Sequence, residues 1–88
     1  MVLRFGRSAA AAGAHEQALP HLRVMCAREP FNEQAHAQLM TALAATGQQA
    51  AALQVFGRLR RRLDSELGVR PGPELASAHV RILRQQFG

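Results

Sequence analysis

The stretch Glu66-Leu67-Gly68-Val69-Arg70-Pro71-Gly72-Pro73-Glu74-Leu75, near the C-terminus, determines the fold. Gly68 can adopt the left-handed conformation that closes off the last carbonyls of a helix. Pro71 keeps the residue before it out of the helical region, so the chain must extend there. Gly72 is an acceptable N-cap, and Pro73 suits the first position of a new helix. The sequence therefore predicts two helices joined by a rigid corner.

Apolar residues on both sides of this corner repeat at helical spacing. Before the corner they follow steps of four, three, four and four, at Ala52, Phe56, Leu59, Leu63 and Leu67. After the corner the repeating positions are Leu75, Ala78, His79, Ile82 and Leu83. This spacing keeps one face of an α-helix against a core. We therefore expect each helix to bury that face.

Two glycine-led segments match each other 34 residues apart. They are Gly13-Ala14-His15-Glu16-Gln17-Ala18-Leu19 and Gly47-Gln48-Gln49-Ala50-Ala51-Ala52-Leu53. In the same register Leu22 pairs with Phe56, and Met25 pairs with Leu59. A period of this length, with glycine at a turn followed by alanine and a larger apolar residue, resembles the tetratricopeptide repeat. The pattern predicts an all-α fold, a tetratricopeptide-like stack of antiparallel helical hairpins.

About five helices are predicted, over residues 2–12, 15–29, 32–46, 48–67 and 73–87. The first is a partial helix that ends before a turn at Gly13, and Pro30 ends the second. Asn32 caps the third helix, with Glu33 in its first turn. The buried face of the third helix is expected to hold Ala35, Leu39, Met40 and Leu43. Pro20 removes one backbone hydrogen bond, so the second helix either begins irregularly or kinks there, and we expect a distorted first turn.

Length and composition predict a single folded domain over residues 1–88. Apolar residues make up 48% of the chain, and no stretch approaches the ~18 consecutive apolar residues of a membrane span. The single cysteine, Cys26, cannot form an internal disulfide, and we expect it to be a small buried residue. A cytoplasmic location without membrane contact is therefore expected.

The chain is basic, with eleven arginines, no lysine and six acidic residues, for a formal charge of +5. Its densest cluster holds Arg58, Arg60, Arg61 and Arg62, of which Arg58, Arg61 and Arg62 are the candidates for contact with nucleic-acid phosphates. The alternative is a solvated helix face whose charges pair four residues apart, Arg60 with Asp64 and Arg62 with Glu66. The chain has no Tyr or Trp to stack on bases, so any DNA contact is expected to be nonspecific.

The sequence contains no convincing motif for catalysis or metal binding. His15-Glu16 begins like a zinc-protease motif, but Leu19 occupies the position of the second histidine. His36 and His79 stand alone at helical positions, where packing or surface roles are commoner than metal or acid–base chemistry. The serines lack a nucleophile-elbow context. We therefore predict no enzyme activity, and no catalytic residue, cofactor, metal or small-molecule substrate.

Four segments of the chain occur together in a known family. They are Arg28-Glu29-Pro30-Phe31-Asn32-Glu33, Leu39-Met40 with Ala42-Leu43, Thr46-Gly47-Gln48-Gln49-Ala50-Ala51-Ala52-Leu53, and Leu63-Asp64-Ser65-Glu66-Leu67-Gly68-Val69-Arg70-Pro71-Gly72-Pro73-Glu74-Leu75. From about residue 13 to residue 83 the chain resembles the second half of the bacterial transcriptional activator domain of SARP-type regulators. Arg70 departs from the acidic or neutral residue common at its position. The resemblance implies an all-helical domain that follows a winged-helix DNA-binding domain and supports self-association, contact with transcription machinery or signal transmission.

The predicted function is that of a non-catalytic protein-interaction module of a bacterial transcriptional regulator. Its partner is expected to be protein, either a second copy or transcription machinery, with DNA contacted only through a winged-helix domain absent from this chain. A truncated regulator is therefore expected. The residues predicted to face the partner lie on the third helix: Gln34, Ala37, Thr41 and Ala44. Two alternatives stay open, a small basic nucleic-acid-binding protein that uses the Arg-rich helix and a generic tetratricopeptide-like adaptor.

Overall fold

The computed structural model describes the backbone of residues 2–85 and the side chains of residues 13–85. Within that part of the chain it contains four α-helices, one π-helical segment and no β-strand. The helices are α1 Val2–Arg28, α2 Glu33–Ala45, α3 Gln49–Arg62 and α4 Pro73–Leu83, and the π-helical segment Leu63–Leu67 continues α3. The all-α prediction is confirmed, with four α-helices where about five were predicted. The last two residues of the predicted helix 73–87 lie outside the described residues.

Helix α2 lies at the centre of the fold. It packs against α1, α3 and α4, and α3 also contacts α4. Within the described residues no Cα atom of α1 lies within 8 Å of a Cα atom of α3 or α4. Short loops, 29–32 and 46–48, join α1 to α2 and α2 to α3, so these neighbours run antiparallel. The largest fully buried side chains are Met40, Leu43, Leu63, Leu75 and Ile82.

The ends and the buried face of α2 agree with the sequence prediction. The Asn32 side chain accepts a hydrogen bond from the Ala35 N–H at 3.0 Å, which satisfies one free donor of the first turn. After the last turn Gly47 adopts φ +84°, a conformation that favours glycine. All four residues predicted for the buried face, Ala35, Leu39, Met40 and Leu43, are buried. Ala37, Ala42 and Ala44 are buried as well, and such small side chains let neighbouring helices approach closely.

The predicted turn at Gly13 is wrong. Helix α1 continues through this residue, so the helices predicted at 2–12 and 15–29 form one helix. A glycine inside a helix costs only about 1 kcal/mol, and the alanines on both sides of Gly13 favour helix strongly. Gly13 is therefore not equivalent to Gly47, which does lie in a turn. In each pair of the 34-residue register one member is buried, Leu22 or Leu59, and the other, Phe56 or Met25, is half-buried.

Pro20 lies in the interior of α1, so the expected distorted first turn is also wrong. Proline has no N–H, and the carbonyl of Glu16 therefore loses its usual donor. Both Pro20 and Glu16 are exposed, so water can bond to that carbonyl. Pro30 acts as predicted, because α1 ends at Arg28.

The structure confirms the predicted corner between α3 and α4. Gly68 adopts φ +64°, and its N–H donates to the Asp64 carbonyl at 3.0 Å. The Val69 N–H donates to the Leu63 carbonyl at 3.1 Å, which completes the closure of the helix end. The chain then extends to Gly72, the N-cap of α4, and proline takes the first helical position.

The π-helical segment at the end of α3 has no counterpart in the predictions. Its hydrogen bonds reach one residue further than those of an α-helix, so the angular spacing changes after Leu63. Leu63 is buried, but Leu67 is 53% exposed, and its predicted place in the core is wrong. Leu83 is 55% exposed and is a second such error. It lies about 100° around the helix from Ile82, which marks the buried face of α4.

Side-chain contacts attach both ends of α4 to the rest of the fold. The Gly72 N–H donates to Glu33 Oε1 at 2.6 Å, a bond between residues 39 positions apart. At the other end, Gln49 Nε2 donates to the Ile82 carbonyl at 3.1 Å. The rings of Phe56 and His79 stack between these ends, with centroids 3.8 Å apart and planes 5° from parallel. These contacts tie the start of α4 to α2 and its later turns to α3, in addition to the packing of α4 on α2.

Replacing Glu33 by Ala should lower the free energy of unfolding by about 2 kcal/mol, because the Gly72 N–H loses a charged acceptor. Urea denaturation followed by far-UV circular dichroism measures the change. Glu74→Ala is the matched control, since it removes a first-turn carboxylate from α4 and should cost less than about 1 kcal/mol through the helix dipole alone. Equal losses in the two variants would contradict a specific role for the Glu33–Gly72 bond.

Candidate protein-interaction grooves

An open groove with a volume of about 440 Å³ runs between α1 and α4. Both helices pack on α2 without contacting each other within the described residues, so they form the walls and α2 forms the floor. Ala18 and Leu22 line the α1 side, and Ala37 and Thr41 line the floor. We call this surface the α1–α4 groove.

The floor of the α1–α4 groove consists of small side chains. Ala37 is buried and Thr41 is half-buried. Thr41 Oγ1 donates to the Ala37 carbonyl at 2.9 Å, so the donor of its hydroxyl is already used within the helix. The floor therefore leaves room for side chains of another molecule without presenting an unsatisfied donor.

The structure places the four residues predicted to face a partner in different environments. Ala37 and Thr41 line the α1–α4 groove. Gln34 is exposed and lies one helical turn before Gln38, which also lines it. Ala44 is only 1% exposed and belongs to the core, because it points toward the packed helices. In this structure Ala44 is therefore not available to a partner, and partner contact by the other three stays a prediction.

Side chains of both charge signs form the rim of the α1–α4 groove. Glu74 and Arg81 of α4 stand on one wall, and His15 and His21 of α1 stand on the other. The sequence-based prediction missed these residues together with Gln38. Gln38 lies four residues after Gln34 on the same face of α2, so helical spacing could have predicted it. No local signal could have indicated the α4 residues, because the corner brings them here from more than 30 positions away.

The three candidates for phosphate contact form one exposed strip along α3. Arg58 lines a shallow depression with Arg61, and on its other side it lines a groove with Arg62. Arg62 Nε donates to Glu66 Oε2 at 2.9 Å, which confirms that predicted ion pair. The guanidinium of Arg62 also lies over the Phe31 ring, 5.3 Å from its centroid. We call Arg58, Arg61 and Arg62 the basic strip.

The second predicted ion pair, Arg60 with Asp64, is absent among the described side chains. No contact between them falls within 4.0 Å, although the residues are four apart. Both side chains are exposed to solvent, where such pairs contribute little.

A second groove, with a volume of about 310 Å³, lies on the opposite side of α2 between α1 and α3. Its floor includes Leu39, which points about 200° around α2 from Ala37. Its other lining residues are Arg23, Cys26, Ala27, Pro30, His36, Val55, Arg58, Leu59 and Arg62. We call this surface the basic groove. The predictions did not include it, because its walls come from helices that are distant in sequence.

The isolated histidines and the cysteine have structural contacts. His36 Nδ1 donates to the Asn32 carbonyl at 2.7 Å, and His79 stacks on Phe56. Cys26 is partly buried where full burial was expected, and this burial raises the pKa of its thiol. In the described part of the chain, no group of three His, Cys, Asp or Glu side chains is placed to hold a metal ion. No helix among the described residues is both long and apolar enough to cross a bilayer.

Comparison with known families identifies the family to which the chain belongs. The model of the bacterial transcriptional activator domain family matches residues 2–83, a range that includes all four helices. The chain therefore belongs to the bacterial transcriptional activator domain family. The match begins at residue 2, earlier than the resemblance noted from about residue 13.

Relatives in the same family are transcriptional regulators. Regulatory protein AfsR of Streptomyces griseus is 46% identical over 72 residues, which cover 82% of this chain and 7% of that protein. Regulatory protein DnrI of Streptomyces peucetius is 41% identical over 76 residues, 86% of this chain and 28% of that protein. Transcriptional regulator RedD of Streptomyces coelicolor is 40% identical over 73 residues, which cover 83% of this chain and 21% of that protein. The chain thus spans less than a third of each of these relatives, and no solved structure matches it.

The raised pKa of Cys26 predicts slow alkylation of the folded chain. The thiolate is the reactive form, so a raised pKa shifts the midpoint of the rate–pH profile to higher pH. Iodoacetamide rates should therefore have a higher midpoint for the folded chain than for the same chain in urea. Coincident midpoints would show that the groove does not desolvate this thiol.

Proposed function

We propose that this domain is a non-catalytic protein-interaction module of a bacterial transcriptional regulator. Its partner is a second copy or a component of the transcription machinery, and it binds in the α1–α4 groove. In this proposal DNA is read by a winged-helix domain outside these 88 residues. The role calls for a cytoplasmic location, where bacterial transcription takes place.

The α1–α4 groove is the observation that carries the proposal. A floor of Ala37 and Thr41 between two helical walls can receive the apolar face of another helix, a common mode of peptide recognition. The rim carries both Glu74 and Arg81, so it can pair with either sign of charge on a partner. The family relatives are regulators, which supports a partner within transcription.

An exposed apolar pair on α4 supports self-association through a surface outside the α1–α4 groove. Val80 and Leu83 lie three residues apart, so they are neighbours on the helix surface. Their side chains are largely exposed, and both fall outside the buried face of α4. Apolar groups that are adjacent and exposed gain free energy when a second surface covers them.

Gln38→Arg should weaken partner binding, because it places a long charged side chain at the edge of the α1–α4 groove. Two assays with the 88-residue chain measure this effect. Sedimentation equilibrium over a range of protein concentrations reports self-association. Titration of a fluorescent-labelled chain with purified RNA polymerase holoenzyme reports contact with the transcription machinery.

Gln54→Arg is the matched control, since Gln54 is an exposed glutamine of α3 outside the α1–α4 groove. We expect Gln38→Arg to weaken at least one of the two interactions about tenfold, and Gln54→Arg to leave both unchanged. The proposal is wrong if the wild-type chain neither self-associates nor binds polymerase. It is also wrong if the two variants behave alike.

The basic strip favours a second candidate function, nonspecific binding of nucleic acid. Arg58, Arg61 and Arg62 are all exposed and can reach phosphates without a structural change. Contacts of this kind weaken steeply with salt, because each one releases counterions. One of the three, Arg62, is already paired with a carboxylate, which reduces its contribution.

A mobility-shift assay on duplex DNA separates the two candidates. The triple variant Arg58→Ala, Arg61→Ala, Arg62→Ala is compared with a control that removes three other exposed arginines, Arg70, Arg81 and Arg84. For a protein-interaction module we expect only weak binding at physiological salt, with a Kd of about 10⁻⁴ to 10⁻⁶ M, reduced equally by both variants. Tight binding that only the basic-strip variant abolishes would establish the nucleic-acid function instead.

A further inference from the structure

We propose that the basic groove binds an acidic amphipathic helix of a partner protein. The apolar side chains of that helix enter the groove, and its carboxylates pair with Arg23, Arg58 and Arg62. This site lies on the opposite side of α2 from the α1–α4 groove. The proposal therefore does not depend on the function assigned to that groove.

The interior of the basic groove is apolar. Leu39 and Leu59 form its buried base, and Val55 and Cys26 are partly exposed above them. Ala27 adds an exposed methyl group on the α1 wall. A volume of about 310 Å³ accommodates a few aliphatic side chains but not a whole helix. An occupant must therefore lie above the groove and insert side chains from one face, as an amphipathic helix does.

The rim of the basic groove carries positive charge from both walls. Arg23 stands on α1, and Arg58 and Arg62 stand on α3, all three exposed. No acidic side chain lines the groove in the described part of the chain. Within those residues no carboxylate lies within 4.0 Å of Arg23 or Arg58. The charge that complements this rim is negative.

The existing ion pair of Arg62 leaves room for a second partner. Only its Nε donates to Glu66, and a guanidinium has four further N–H donors on its terminal nitrogens. Arg58 and Arg62 are one helical turn apart, so their side chains are neighbours on the surface of α3. Carboxylates that are likewise three or four residues apart on a helix can meet both arginines at once. Each guanidinium can also bind one carboxylate through two N–H groups at once, and this bidentate form is the strongest arginine–carboxylate contact.

The apolar interior favours a protein segment over nucleic acid. A phosphate backbone is bound by charge alone and gains nothing from Leu39, Val55 or Leu59. Binding of single strands adds aromatic rings on which bases stack. Among the described residues no Phe, Tyr or Trp lines the basic groove, and Arg62 covers the Phe31 ring beside it. The one aromatic ring in the lining, His36, is tied to the Asn32 carbonyl by its hydrogen bond. An apolar base with an arginine rim therefore matches leucines and carboxylates on a single helix.

A synthetic helical peptide tests the proposal with the 88-residue chain. The peptide carries leucines at helical spacing on one face, glutamates elsewhere, and a fluorescein label for anisotropy measurements. We expect Arg58→Glu to weaken its binding about tenfold, because one charge pair is replaced by repulsion. Arg60→Glu is the matched control, with the same charge change two residues away on α3 and outside the basic groove. It should change the affinity less than about twofold, and circular dichroism confirms that both variants are folded.

Cys26 provides an independent measurement of where the peptide binds. It lies in the basic groove and is the single cysteine of the chain, so bound peptide should slow its alkylation. A scrambled peptide of the same composition should bind more weakly and should not protect the thiol. Equal losses in Arg58→Glu and Arg60→Glu, or no saturable binding, would overturn the proposal. Equal binding of the scrambled peptide, with displacement by duplex DNA, would also overturn it and would identify the surface as a phosphate-binding strip.

Discussion

Burial of α2 is the constraint on which the positions of the other helices depend. Seven of its 13 residues are buried, and four of those seven are alanines. The alanines let α1, α3 and α4 approach the same short helix from different directions, while Leu39, Met40 and Leu43 fill the space between them. Within the described residues the backbone of α1 closely approaches only that of α2, so the position of α1 depends on the apolar surface that α2 presents.

Features set by local backbone chemistry could be predicted from the sequence. The corner at Gly68 and the cap at Asn32 depend on residues close together in the chain, and the structure has both. The turn at Gly13 was a wrong prediction because a glycine is a weak helix breaker among alanines. Leu67 was misplaced because spacing along one helix does not show how far its neighbours extend: it is the last helical residue before the corner and is 53% exposed.

The candidate sites were harder to predict from the sequence, because residues that are distant in the chain form them. Helical spacing on α2 identified Ala37 and Thr41, because a floor formed by one helix can be read from a single segment. The walls require Arg23 of α1 and Arg81 of α4, whose distances from the floor are determined by tertiary packing. Two grooves result because α2 is covered incompletely on both sides. The two grooves differ in chemistry. The α1–α4 groove carries charges of both signs, whereas the exposed charged side chains of the basic groove are all arginines.

The hydrogen bond between Glu33 and Gly72 has a consequence for synthesis of the chain. At a translation rate of about 5 to 20 residues per second, the 39 positions between them take about 2 to 8 s to make. Until the corner and α4 have been made, the side of α2 that α4 covers has no partner in the chain. Any part of that apolar surface that emerges from the ribosome first is open to chaperones or to other nascent chains.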